Sequence, residues 1–124
     1  MPANMPKRLL LACSQPIWGS SIMGVSMFKK LHDAGASTLT LYIDGQAVEA
    51  EGGETIAAVL LRQRTPASRT TPVHESPRAP YCMMGVCFDC LVIVDGVAST
   101  QSCLVTVQEG MRVERQFGRR SVML

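Results

Sequence analysis

The sequence predicts an α+β fold of the β-grasp type, one main helix packed on a mixed sheet, and three features carry that prediction. An alternating apolar segment from Thr38 to Ile43 runs through a turn into a second extended segment, and a short amphipathic helix follows. A further extended segment returns at Met111 to Arg115. Between helix and return lie Cys82, Cys87, Cys90 and Cys103, four of the five cysteines, spaced C-x4-C-x2-C-x12-C.

Size and composition bound the rest. A chain of 124 residues, 47% hydrophobic and 18% charged, holds one modest core and no second domain of ordinary size. A net charge of +2 with 5% aromatic residues leaves no nucleic-acid footprint, so nucleic acid is not an expected partner. No run of 18 apolar residues occurs, so no membrane span is expected.

Residues 1–36 read as an N-terminal extension, poorly ordered. They carry Lys7, Arg8, Lys29 and Lys30, no acid before Asp33, and Gly, Ser and Met without steady periodicity. Lys7 and Arg8 before Leu9 to Cys13 have the look of a lipoprotein leader, but the apolar stretch is too short for a signal sequence. The acid-poor, Ser-containing character suggests a transit peptide, and the single arginine argues against one. The arm is then a floppy segment, or leader residues upstream of a start at Met23 or Met27, and the expected location is cytoplasmic.

Residues 37–115 form the expected domain. Leu39, Leu41 and Ile43 alternate with Thr38, Thr40 and Tyr42, and Asp44-Gly45 tolerates the positive φ of a type I′ hairpin turn, so Gln46 to Ala50 should return antiparallel. Gly52-Gly53 breaks the strand. Thr55 caps a helix running to about Arg64, with Ile56, Val59 and Leu60 at i, i+3 and i+4 facing the core.

Pro66, Pro72, Pro77 and Pro80 make residues 65–80 a loop in which neither a helix nor a central strand persists. Long irregular loops often dock a partner or cover a ligand, and this one serves equally well as a stiff connector to the cysteines. Beyond the cysteine triplet, Leu91 to Val94 and Val97 to Thr100 flank Asp95-Gly96 as a second hairpin. Met111 to Arg115 follows the Glu109-Gly110 turn as a strand paired with the first one. Residues 116–124 are an exposed tail without apolar periodicity.

The cysteine spacing is that of a [2Fe-2S] site. Three thiolates in one loop wrap a small inorganic cluster, and Cys103 arrives from a later segment to complete its coordination. Iron bridged by sulfide calls for soft, anionic donors, which thiolate supplies better than imidazole or carboxylate. Met83 to Val86 must curl tightly so that backbone N–H groups face the sulfurs, and Gly85, without a Cβ, is suited to that curl.

Two other readings of the quartet remain. A structural zinc site also takes four thiolates, though such sites usually show paired C-x2–4-C knuckles. Disulfides need an oxidising compartment that no export signal supplies. Elsewhere the chemistry is thin: Cys13 is an incidental thiol, and His32 and His74 have no ligand partner at motif spacing. No Ser/His/Asp grouping, no G-x-G-x-x-G and no room for a flavin domain are present, so the chain has no catalytic residues of its own. Arg112, Arg115, Arg119 and Arg120 form a solvated tail or a contact for a partner or cofactor phosphate.

The stretch Ala79 to Cys90, with Val94-Asp95-Gly96, Cys103 and Glu109 to Val113, resembles the small [2Fe-2S] subunits of bacterial flavin-dependent amine and amino-acid dehydrogenases. Those of the hydroxyproline dehydrogenase and hydrogen cyanide synthase type are examples. The likeness covers roughly residues 38–115, including Asp44-Gly45 and Glu54-Thr55-Ile56. Molybdenum hydroxylase and succinate dehydrogenase iron-sulfur subunits share the spacing but continue into further clusters, whereas residues 104–124 hold no cysteine. Plant-type ferredoxins place their last ligand much further along and are acidic.

The resemblance implies that Cys82 and Cys87 hold one iron and Cys90 and Cys103 the other. It further implies that an amine or amino acid is oxidised by FAD or FMN on flavoprotein partner subunits, with the cluster taking electrons one at a time. This chain would then be the electron-transfer subunit of a hetero-oligomeric oxidoreductase. The rival reading is a non-redox structural metal module, iron-sulfur or zinc, that organises partner subunits, since metal sites supply much of a small domain's folding free energy.

Overall fold

The computed structural model describes residues 28–31, 35 and 37–120. Most of the expected N-terminal extension, with Cys13 and His32, and the last four residues of the expected tail lie outside the described residues.

β1 (Thr38–Ile43) and β2 (Gln46–Glu51) pair antiparallel, from Thr38 opposite Glu51 to Ile43 opposite Gln46. Asp44 and Gly45 have φ of 50° and 82°, the left-handed pair that a type I′ turn requires. The alternation in β1 buries Leu41 and Ile43 and leaves Tyr42 outward.

α1 (Ile56–Leu61) starts where Thr55 Oγ1 accepts the Ala58 N–H at 3.3 Å. It buries Ile56, Ala57, Val59 and Leu60. The helix stops short of Arg64 because its final turn tightens: the Arg62 and Gln63 N–H groups donate three residues back, to Val59 and Leu60. Pro66 then disfavours helical φ/ψ at Thr65.

The proline-rich loop contains a small two-stranded ladder, β3 (Arg69–Thr70) with β4 (Pro77–Arg78). Pro77 begins its strand, one of the few places in a ladder a proline is tolerated. β5 (Leu91–Val94) and β6 (Val97–Gln101) form the second hairpin around Asp95 and Gly96, at φ 48° and 85°.

β7 (Arg112–Arg115) enters the middle of the main sheet, whose order is β2-β1-β7-β5-β6. It runs parallel to β1 and antiparallel to β5, so the sheet is mixed, with a single small helix, as in a β-grasp ferredoxin-type domain. Both hairpin aspartates fasten this strand: Asp95 Oδ1 accepts the Arg112 N–H and Asp44 Oδ1 the Arg115 N–H, each at 2.9 Å. The main core gathers Leu41, Ile43, Ile56, Leu60, Val92 and Val113 between sheet and helix.

Two attachments carry this frame to the cysteines. The Ile56 and Ala57 N–H groups donate to Val105 O and Ser102 O, at 3.0 and 3.1 Å, so the helix start holds the segment around Cys103. Ala57 also packs with Cys90 and Cys103 in a separate buried cluster. At the same end of the helix Glu54 meets the Arg62 guanidinium, the Glu51 N–H and Lys30 Nζ. Burial alone would raise its carboxyl, but these partners outweigh it and hold Glu54 at about 2.

Beyond Arg115 the chain stays attached. The Gln116 N–H donates to Ser68 O at 3.0 Å, and the Gly118 N–H to Thr70 Oγ1 at 2.6 Å. Arg115 is committed to structure rather than to a ligand, since its guanidinium pairs with Asp44 and donates to Thr65 O and Ala67 O.

Candidate metal centre

The four cysteines in question are free thiols, Cys82 and Cys87 half-buried and Cys90 and Cys103 buried. They come together from two places. The loop before β5 supplies three, and the turn between β6 and Val107, tied to the helix start, supplies Cys103. Cys90 Sγ lies 3.5 Å from Cys103 Sγ, well beyond a disulfide bond. The Cys87 thiol in turn lies within hydrogen-bonding reach of Cys82.

The thiols thus form two pairs. Among the described residues no three Cys, His, Asp or Glu side chains are gathered as one metal ion would require. A two-iron cluster with bridging sulfides asks for two thiolates at each iron, which is what two pairs of thiols offer.

The loop between the first two cysteines curls by left-handed residues, Met83 at φ 57° and Gly85 at φ 83°. Backbone in this alternation turns successive N–H groups to one side and makes a concavity that attracts anions. The Met84 and Cys87 N–H groups lie 3.4 Å from Cys82 Sγ, and the Gly85 N–H faces Cys103. These donors favour the thiolate: with the Cys87 N–H foremost and Met84 next, Cys82 is lowered to about 6. Cys103 moves the other way, pushed up by burial first and then by the adjacent Cys90. A cationic metal offsets both penalties on ionising it.

Gly85 is held to glycine twice over. Its φ is left-handed, and a Cβ there would stand 3.1 Å from Leu104 Cδ1. The space it leaves belongs to the fold of the loop around the thiols.

Side chains that sequence reading passed over grip the loop from outside, by its carbonyls. Gln101 Nε2 donates to Gly85 O and Cys87 O, Arg69 Nε to Phe88 O at 2.7 Å, and Ser68 Oγ to Asp89 O at 2.5 Å. Ser102 Oγ donates to Cys90 O at 2.7 Å. Carbonyls held outward leave the opposite, N–H side of the peptides facing the thiols. Adjacency to Cys103 was the one available signal for Gln101 and Ser102. Ser68 and Arg69 show that the proline-rich loop lies against the cysteine loop.

Around this centre the surface is apolar. Tyr81 is 84% exposed and Val86 71%, and Met84, Phe88 and Leu104 are exposed beside them. His74 lies exposed in the loop between β3 and β4.

Residues 36–118 match the family model of the 2Fe-2S iron-sulfur cluster binding domain. The chain is 38% identical over 85 residues to hydrogen cyanide synthase subunit HcnA of Pseudomonas aeruginosa, covering 65% of this chain and 77% of that protein. The HcnA subunit of Pseudomonas protegens is likewise 38% identical over 85 residues, covering 65% and 76%. Among solved structures, L-proline dehydrogenase from P. horikoshii superposes with a TM-score of 0.59 at 23% identity. That match covers 69% of this chain and 17% of the longer one, and at this identity it speaks for the fold alone. No described helix is long and apolar enough to cross a membrane.

Proposed function

Because this chain belongs to the 2Fe-2S iron-sulfur cluster binding domain family, we propose that it is the electron-transfer subunit of a flavin-dependent amine or amino-acid dehydrogenase complex. Cys82 with Cys87 and Cys90 with Cys103 hold the cluster, which supplies one-electron chemistry when bound. Partner subunits carry the FAD or FMN and the substrate pocket.

The observation that carries this reading is the pairing of four thiols beneath a loop whose N–H groups turn toward them. Those N–H groups stabilise negative charge on sulfur, and burial of Cys90 and Cys103 keeps water from one side of the centre. The exposed Tyr81, Met84, Val86, Phe88 and Leu104 surround the same loop. Apolar patches of this kind mark docking surfaces, which favours a partner seated close over the thiols. Identity to the HcnA subunits supports a role within a multi-subunit oxidoreductase.

The test uses the complex copurified with its flavoprotein partner. With Cys87→Ser, a substrate amine should still bleach the flavin while steady-state turnover with an external acceptor is lost. Unchanged turnover contradicts the proposal.

A further inference from the structure

The strand end before Cys103 carries a side chain that donates two hydrogen bonds to the cysteine loop. Gln101 closes β6 opposite Leu91, the residue after Cys90. Its Nε2 lies 3.1 Å from Gly85 O and 3.1 Å from Cys87 O. A carboxamide nitrogen has two hydrogens and no lone pair to offer, so both are used here and the amide orientation is fixed by its two acceptors. The bonds span 14 and 16 residues of sequence, across the mouth of the loop.

The peptides so gripped flank the residues that matter. Gly85 O belongs to the peptide whose N–H is that of Val86, and Cys87 O to the next but one. Of the N–H groups directed at Cys82 Sγ, that of Cys87 belongs to the peptide between these two anchors and that of Met84 to the second peptide before the first anchor. In a loop with two left-handed residues, Met83 and Gly85, the peptide planes have cheap alternatives, and a double donor removes them.

We propose that Gln101 is a positioning residue of the cluster loop, fixing through Gly85 O and Cys87 O the N–H groups that face the cysteine sulfurs and so setting the reduction potential of the centre. This rests on the [2Fe-2S] reading above. Hydrogen bonds to sulfur favour the reduced, more negative state, so loosening them lowers the potential.

The full chain is compared as wild type, Gln101→Met and Gln101→Asn. Met keeps the length and flexibility of Gln without a donor, and Asn keeps the carboxamide but falls one methylene short. Three quantities are read: iron and sulfide per chain, the midpoint potential by redox titration, and amide hydrogen exchange of residues 84–87. With Gln101→Met, cluster content should match the wild type and exchange in residues 84–87 should quicken at least tenfold. The one-electron equilibrium constant should fall about tenfold, 59 mV toward lower potential. Gln101→Asn should lie between the two, and it decides on the same readouts if Gln101→Met assembles no cluster.

Wild-type potential and wild-type exchange in a cluster-loaded variant overturn the proposal. So does exchange that quickens evenly over the whole domain, the mark of a merely structural residue. A wild-type chain that takes up no two-iron cluster defeats the function proposed above instead, and the exchange of residues 84–87 in the same chains still decides whether Gln101 holds the loop.

Discussion

Ser102 donates twice to one carbonyl of the ligand loop: its Oγ lies 2.7 Å and its N 3.2 Å from Cys90 O. Ser102 is fully buried, and its own carbonyl accepts the Ala57 N–H of α1. One residue therefore ties the helix start, the Cys103 turn and the Cys90 end of the loop together. Ser102→Ala should cost about 1 kcal/mol, because the backbone bond to Cys90 O survives the loss of the hydroxyl. Ser102→Val, which replaces the hydroxyl by one methyl and adds a second at a fully buried position, should cost about 1–3 kcal/mol more. Urea unfolding of the full chain measures both, and equal values for the two variants contradict a site with no room for the added methyl.

Gly85→Ala meets two separate obstacles, a left-handed φ of 83° and Leu104 Cδ1 at 3.1 Å from the new Cβ. The backbone part costs about 1–2 kcal/mol. The steric part is relieved by shortening the neighbour, so Gly85→Ala with Leu104→Ala should recover some stability and cluster content, but not all. Full recovery in the double variant would mean that the backbone conformation is unimportant.

Glu54 links pH to stability at the start of the helix. Its carboxyl lies lowered to about 2 from an ordinary 4.5, so its contribution is complete above about 4.5 and is lost as pH falls toward 2. Solvent screening keeps the contribution to about 1 kcal/mol. Glu54→Gln should lower stability at pH 7 by that amount and flatten the pH dependence between 4.5 and 2. Unfolding curves at several pH values check it, and parallel profiles for the two proteins contradict it.

Asp44 serves both the first hairpin and β7, through its left-handed backbone, its Arg115 N–H bond and its pair with the Arg115 guanidinium. Asn tolerates the same φ and keeps an amide oxygen for the N–H, whereas Ala keeps neither advantage. Asp44→Asn should therefore cost about 0.5 kcal/mol and Asp44→Ala about 1–2 kcal/mol. Thermal unfolding ranks them, and the reverse order sinks the argument.

What could be read from the sequence and what could not divides along the reach of the interactions. Asp44-Gly45 and Asp95-Gly96 declare hairpins because two adjacent residues settle the turn, and Thr55 declares a helix start because the N–H it caps is three residues away. The Cys spacing is local too, which is why the loop and its curl at Gly85 were legible. The helix end was misjudged by a few residues because Pro66 acts on the residue before it and the last turn tightens ahead of that. The β3–β4 ladder lay hidden under a proline count that excludes central strands but not short edge pairings. Ser68, Arg69 and Gln101 reach 14 to 21 residues along the chain to grip backbone carbonyls, and side-chain-to-carbonyl bonds of that span leave no periodic trace. Arg115 shows the same limit in reverse, a charge in an apparent basic run whose partners are Asp44 and two carbonyls of the loop.

The central claim is that Cys82, Cys87, Cys90 and Cys103 hold one redox-active two-iron cluster. The direct measurement is metal and sulfide analysis of the full chain purified without oxygen, with its visible spectrum followed during dithionite titration. The account predicts a brown protein with two irons and two labile sulfides per chain, bleached by one electron. A colourless protein carrying one zinc per chain would contradict it.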